Sequence, residues 1–185
     1  GMNVWAIPSA LIESAISGNK LRGASTLTQQ LTKLLFLTPE RSLSRKIKEM
    51  MTAIRIEQTY TKEEILAFYM NEVYLAGGNY GFQAAGKYYF GKPLDSLSNP
   101  AYAVLAGMLQ RPEALRPDRH PKASKRRRNT VLYAMRDAGY ITNEEYRKYI
   151  EEPIVLAKKE DVTGTGLYFF EEIRKYMEKK YGENS

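Results

Sequence analysis

Thr26, Gln30 and Lys33 stand at i, i+4 and i+7 in the segment Arg22-Gly23-Ala24-Ser25-Thr26-Leu27-Thr28-Gln29-Gln30-Leu31-Thr32-Lys33. On a helix that spacing stacks a hydroxyl, an amide and an ammonium in one row. Such a row suits a phosphate or a sugar phosphate, because an ammonium makes charge-assisted bonds to phosphate oxygens while the neutral groups complete the shell. It also suits an ordinary solvated helix flank, and spacing alone does not separate the two. A second candidate is the pair Lys46 and Glu49 at i, i+3. Taken alone, a helical pair of this kind is a weak surface ion pair.

The elements that must carry these residues read as helices almost throughout. Gly23 and Ala24 give a tight entry, Ser25 or Thr26 caps the first turn, and Leu27, Leu31, Leu34 and Leu35 form the expected core stripe of a helix running to Leu37, before Pro39. Ser42 or Ser44 opens a long helix whose core side is expected to be Ile47, Met50, Met51 and Ile54. Thr61 with Glu64, and Thr142 with Glu145, have the spacing of capping boxes. The first of these starts a helix expected to reach Leu75, and Gly77-Gly78-Asn79 then reads as a flexible loop. Further helices are expected over 7–16, 81–89, 100–109, 121–138 with Gly139 as C-cap, and 167–181, while 153–162 reads as extended. The fold class is all-α.

Composition narrows the chemistry. With 185 residues, 43% hydrophobic and 26% charged, the chain suits one folded domain. There is no Cys and one His, His120, so thiolate chemistry, disulfides and a zinc site are all but excluded, and no metal ligand set is assigned. The net charge of +7 favours anionic partners: nucleic acid, anionic lipid or a pyrophosphate substrate. The basic run Lys122-Ala123-Ser124-Lys125-Arg126-Arg127-Arg128 has no interleaved aromatics and reads as a solvated helix face, so nucleic acid is not expected as a partner. No apolar stretch of roughly eighteen residues is present to span a membrane.

The segment around Thr26 resembles the G-[GA]-S-T-[LI]-T-Q-Q-x-x-K motif of peptidoglycan glycosyltransferases, the transglycosylase domains of class A penicillin-binding proteins and their monofunctional relatives. The resemblance continues. Arg41-Ser42-Leu43-Ser44-Arg45-Lys46-Ile47-Lys48-Glu49 is similar to R-x-x-x-R-K-x-x-E, and Tyr69-Met70-Asn71-Glu72-Val73-Tyr74-Leu75 through Gly81 to a third motif. Leu105-Ala106-Gly107-Met108-Leu109 through Pro112 and Pro117 is similar to a last one, with Arg111 where a lysine is common. Leu34 stands where the family often has asparagine.

The resemblance implies a lysozyme-like bilobal helical domain with a substrate cleft. It implies residues 1–152 as the glycosyltransferase domain and 153–185 as a segment and linker helix leading toward a transpeptidase domain. The implied reaction polymerises lipid II into glycan strands by inverting transfer, with undecaprenyl pyrophosphate as leaving group. Carried over by motif, Ser25, Thr26, Gln30, Lys33, Arg41 and Lys46 bind the donor, and Glu49 is the catalytic carboxylate that orients charged groups or a Mg2+ or Mn2+ ion at the pyrophosphate. Arg127 or Arg128 is a further candidate donor contact, and Asn71, Glu72 and Tyr74 are structural or cleft-lining. Partners are lipid II, the growing glycan chain and the outer face of the bacterial cytoplasmic membrane. Leu34, Leu35, Phe36 and Leu37 are placed to dip into lipid. Moenomycin, a phosphoglycolipid, mimics the growing chain in this family.

The family's first motif, E-D-x-x-F-x-x-H-x-G, carries its general base and does not occur here; Gly1-Met2-Asn3 and Ala6-Ile7 resemble the residues after its histidine. The expectation is a chain that starts just after the catalytic glutamate and binds donor-like ligands better than it turns them over. Two other readings stay open: a muramidase or lytic transglycosylase, which needs a proton-donating carboxylic acid, and a catalytically incomplete lipid-pyrophosphate or membrane-binding module.

Overall fold

The computed structural model describes residues 27–35 and 43–158. The helices expected over 7–16 and 167–181 lie outside the described residues. Every named element among the described residues is helical: α1 (Leu27–Leu35), α2 (Leu43–Thr59), α3 (Lys62–Glu72), α4 (Phe82–Phe90), α5 (Asn99–Met108), α6 (Pro121–Asp137) and α7 (Asn143–Glu151), with short 3-10 turns at Leu94–Ser96 and Glu113–Leu115. Tyr74 and Tyr80 form an isolated β-bridge. The all-α expectation holds.

The core is built on α5. Its run from Pro100 to Met108 is buried on all sides, as a helix without a polar face must be. α6 lies along it and buries Ser124, Arg128, Val131, Leu132 and Met135, one inward row at helical spacing. Gly107 permits the close approach, since a Cβ there would stand 2.9 Å from Arg127 Cγ. Both capping boxes form: Thr61 with Glu64 starts α3, and Thr142 with Glu145 starts α7.

α3 ends earlier than expected, at Glu72, because the chain turns back on itself. Leu75 N donates to Asn79 O (2.9 Å) and Gly81 N to Val73 O (2.8 Å). Gly81 has φ +79, and a Cβ there would lie 2.5 Å from Asn71 O, so only glycine fits. The stretch expected to be a flexible loop is a hydrogen-bonded turn, with the Asn79 side chain donating to Ala76 O (3.0 Å). Residues 153–158 are non-helical, as expected, and dock on α4 through Ala157 N to Tyr89 O (2.9 Å).

Two faces differ from the sequence expectation. In α1 the buried row is Thr28, Leu31 and Thr32; Leu27 and Leu34 are partly buried and Leu35 is exposed. Thr32 tolerates burial because its hydroxyl donates to Thr28 O (2.8 Å). In α2 the reversal is complete. The expected core residues Ile47, Met50, Met51 and Ile54 are each about half exposed, at 50 to 54%, and Glu49 with Ala53 faces inward. α2 lies against α1 and α3 by the row of Glu49, Ala53 and Ile56, and the buried carboxylate of Glu49 is paired with Arg45 and Lys46.

Candidate functional site

Glu49 is 2% exposed, yet it sits on an otherwise amphipathic helix. Burial of a carboxylate without partners is prohibitive, so its neighbours decide the geometry. Arg45 Nε lies 3.0 Å from Glu49 Oε1, one turn back at i, i+4, and Lys46 Nζ lies 3.6 Å from Oε2 at i, i+3. The three side chains form one cluster with an asymmetry. The anion is inside, while Arg45 is 31% and Lys46 57% exposed by side chain. Two cations are thus held beside a buried carboxylate while their own side chains stay partly exposed.

α1 packs against both α2 and α3. Gln30 and Lys33 lie away from its buried Thr28–Leu31–Thr32 row; Gln30 is half-buried and Lys33 exposed. Gln30 Oε1 accepts a hydrogen bond from the Tyr69 hydroxyl of α3 at 3.4 Å. Tyr69 is buried, and burial pushes its phenol up to about 12. The described contacts therefore assemble two groups on neighbouring helices: Arg45–Lys46–Glu49 on α2, and Gln30 with Tyr69 between α1 and α3. Ser25, Thr26 and Arg41 lie outside the described residues.

Arg45 and Tyr69 were not singled out from the sequence. Arg45 had a signal, i, i+4 spacing to Glu49 inside the motif. Tyr69 had a weaker one, a place on the buried side of α3.

Arg128 and Tyr74 make contacts within the fold, and Asn71 and Glu72 are exposed. Arg128 is buried and donates to Ile150 O (3.0 Å), Glu152 O (2.7 Å) and the Asn129 side chain, fastening α6 to the end of α7. Burial without a carboxylate in contact holds its guanidinium below the usual range. Arg127 Nε reaches Gly107 O (3.4 Å). Tyr74 donates its hydroxyl to Glu113, whose carboxyl is held below the usual range first by that bond and then by Gly77 N and Arg116. Arg116, buried, grips Asp118 with two bonds (3.0 and 2.6 Å). This network pins the turn after α3 to the 3-10 turn at Glu113–Leu115. Lys122, Lys125 and Arg126 are exposed on α6.

Among the described residues Glu49 is the one carboxylate beside Arg45 and Lys46, and a Mg2+ or Mn2+ ion there would compete with those two side chains for its oxygens. Mg2+ or Mn2+ wants about six oxygen ligands. Glu49 is a single carboxylate whose two oxygens already face Arg45 and Lys46.

A family model described as Transglycosylase matches residues 1–136. Penicillin-binding protein 1A of Aquifex aeolicus (strain VF5) is 43% identical over 183 residues, covering 99% of this chain and 25% of that protein. Penicillin-binding protein 1A of Streptococcus oralis is 47% identical over 157 residues, covering 83% of this chain and 25% of that protein. Among solved structures, penicillin-binding protein 1A from Haemophilus influenzae matches with a TM-score of 0.50 at 30% identity, over 89% of this chain and 22% of that one. The chain spans about a quarter of the length of the curated relatives it matches.

Proposed function

The chain belongs to the transglycosylase family, and on that premise we propose that it is the peptidoglycan glycosyltransferase domain of a longer penicillin-binding protein, polymerising lipid II into glycan strands. The observation that carries the reading is the buried Glu49 with Arg45 and Lys46 gathered over it. In the reaction a sugar hydroxyl of the acceptor attacks the anomeric carbon of the donor. The bond to the lipid pyrophosphate breaks, and configuration inverts. Negative charge grows on the departing pyrophosphate, and preorganised cations there lower the barrier without having to reorganise. Lys33, Arg41, Lys46 and Arg45 meet that charge, while Ser25, Thr26 and Gln30 hydrogen-bond the phosphates or sugars.

Glu49 holds Arg45 and Lys46 in place, so that two like charges stay together before the donor arrives. A carboxylate set between two cations suits this role better than proton donation to a leaving sugar, which disfavours the glycan-cutting alternative. The base that takes the acceptor proton belongs to the family motif that this sequence does not contain, and no residue here is assigned to it.

The same domain works at the outer face of the cytoplasmic membrane, alongside a transpeptidase domain of the parent protein. Support comes from the outward face of α2, where Leu43, Ile47, Met50, Met51 and Ile54 are exposed together. Among the described residues no helix is long and apolar enough to cross a membrane.

Calorimetric titration with moenomycin tests the pocket. Lys33→Ala and Lys46→Ala are each expected to weaken binding on the order of 10-fold or more, the loss of a charge-assisted contact, and Lys122→Ala to leave it unchanged. Equal losses from all three would mean diffuse electrostatic attraction and would sink the specific pocket.

A further inference from the structure

Gln30 is an unsymmetrical group: its amide has an acceptor end and a two-proton donor end. A phosphate oxygen only accepts, so Gln30 serves an anionic donor in one of its two flip states, with nitrogen outward. A neighbouring hydroxyl whose proton needs an acceptor favours the state with the carbonyl turned toward it. The Tyr69 hydroxyl, buried on α3, lies 3.4 Å from Gln30 Oε1, across a separation of 39 residues.

We infer that Tyr69 is a positioning residue for donor binding, its hydroxyl holding the Gln30 carbonyl so that the amide nitrogen is presented to a phosphate oxygen. This rests on the reading that Gln30 contacts the donor. A flipped amide turns N–H groups toward Tyr69 and takes away the acceptor that its hydroxyl proton has among the described contacts. Burial pushes its pKa up to about 12, so the hydroxyl keeps its proton through the neutral range. The ring is clamped as well: Tyr69 is 3% exposed within the core cluster that includes Leu31 of α1 and Leu66 and Met70 of α3. A rigid ring with one polar tip is a good reference point for a flexible amide.

The test is a double-mutant cycle in moenomycin affinity, with Tyr69→Phe, Gln30→Ala and the pair, measured by calorimetry on the full chain. Tyr69→Phe keeps the ring and removes only the hydroxyl. It is expected to weaken binding about 3- to 10-fold, the worth of one neutral hydrogen bond. Gln30→Ala is expected to weaken it at least as much, and the pair no further than Gln30→Ala alone. Tyr102→Phe removes another buried hydroxyl, one bonded to Leu94 O away from the site, and is expected to lower thermal stability without moving the affinity. Unchanged affinity in Tyr69→Phe, losses that multiply in the pair, or an equal loss in Tyr102→Phe each overturns the positioning role while leaving the pocket standing. No loss in Gln30→Ala removes the donor contact itself, and the inference with it.

Discussion

Glu49 and Arg128 are both buried charges, 2% and 1% exposed, and they do opposite things. Arg128 lies deep in α6 and spends its donors on main-chain carbonyls at Ile150 and Glu152 and on Asn129. Its charge is consumed by neutral acceptors and fastens two helices. Glu49 lies on α2 beneath two cations that are themselves partly in water. Its charge is passed outward, as an arrangement of Arg45 and Lys46 that an anion can meet. On the proposed function, what separates the two kinds of burial is where the partners point, not how deep the charge lies.

The largest effect should come from the structural charge. Arg128→Met strips the donors from two carbonyls inside the fold, at about 1–3 kcal/mol each, so about 3 kcal/mol is expected. For a domain of this size the thermal midpoint should fall by about 6–12 °C. Moenomycin affinity measured well below that midpoint should be unchanged. Circular dichroism melting and calorimetry read the two quantities, and a loss of affinity with little change in midpoint would erase the contrast with Glu49.

A smaller effect is expected from the other face of α2. Ile47→Glu with Ile54→Glu places charges on residues that are about half exposed, so the fold should keep its midpoint. Partition onto phosphatidylglycerol–phosphatidylcholine vesicles should fall by about 10- to 30-fold, as expected for withdrawing two aliphatic side chains from lipid. Unchanged partition would remove lipid as the partner of that face.

The two regions also differ in how much of them the sequence discloses. Around α5 local rules suffice. The uninterrupted apolar run from Ala101 to Leu109 has no polar face to leave in water and so must be buried, and Thr61–Glu64 and Thr142–Glu145 set helix starts through bonds made within one turn. At α2 the period was legible and the direction was not. An apolar stripe at Ile47, Met50, Met51 and Ile54 says that one side of a helix avoids water, without saying whether core or something else covers it. The side that faces inward carries Glu49 with Ala53 and Ile56, and the burial of Glu49 is made tolerable by Arg45 and Lys46. The site shows the same split. Glu49, Lys46, Gln30 and Lys33 are readable as motif residues, but the Tyr69–Gln30 bond joins α3 to α1 and leaves no trace in local spacing. Arg128 stands in a run that reads as a solvated face, and its partners beyond α6 are main-chain carbonyls, which no side-chain pattern reveals.

At the centre stands the action of Glu49 on the donor through Arg45 and Lys46. Glu49→Gln tests it most directly, since it keeps the shape and one acceptor oxygen while removing the charge and the second acceptor that together hold the two cations. Moenomycin titration of the wild type and the variant, with thermal midpoints measured alongside, is the decisive comparison. The expected result is an affinity about 10-fold weaker, equivalent to about 1.4 kcal/mol, in a protein that still folds. Equal affinity in the two proteins would show that Glu49 is a second Arg128, a buried charge that serves the fold alone.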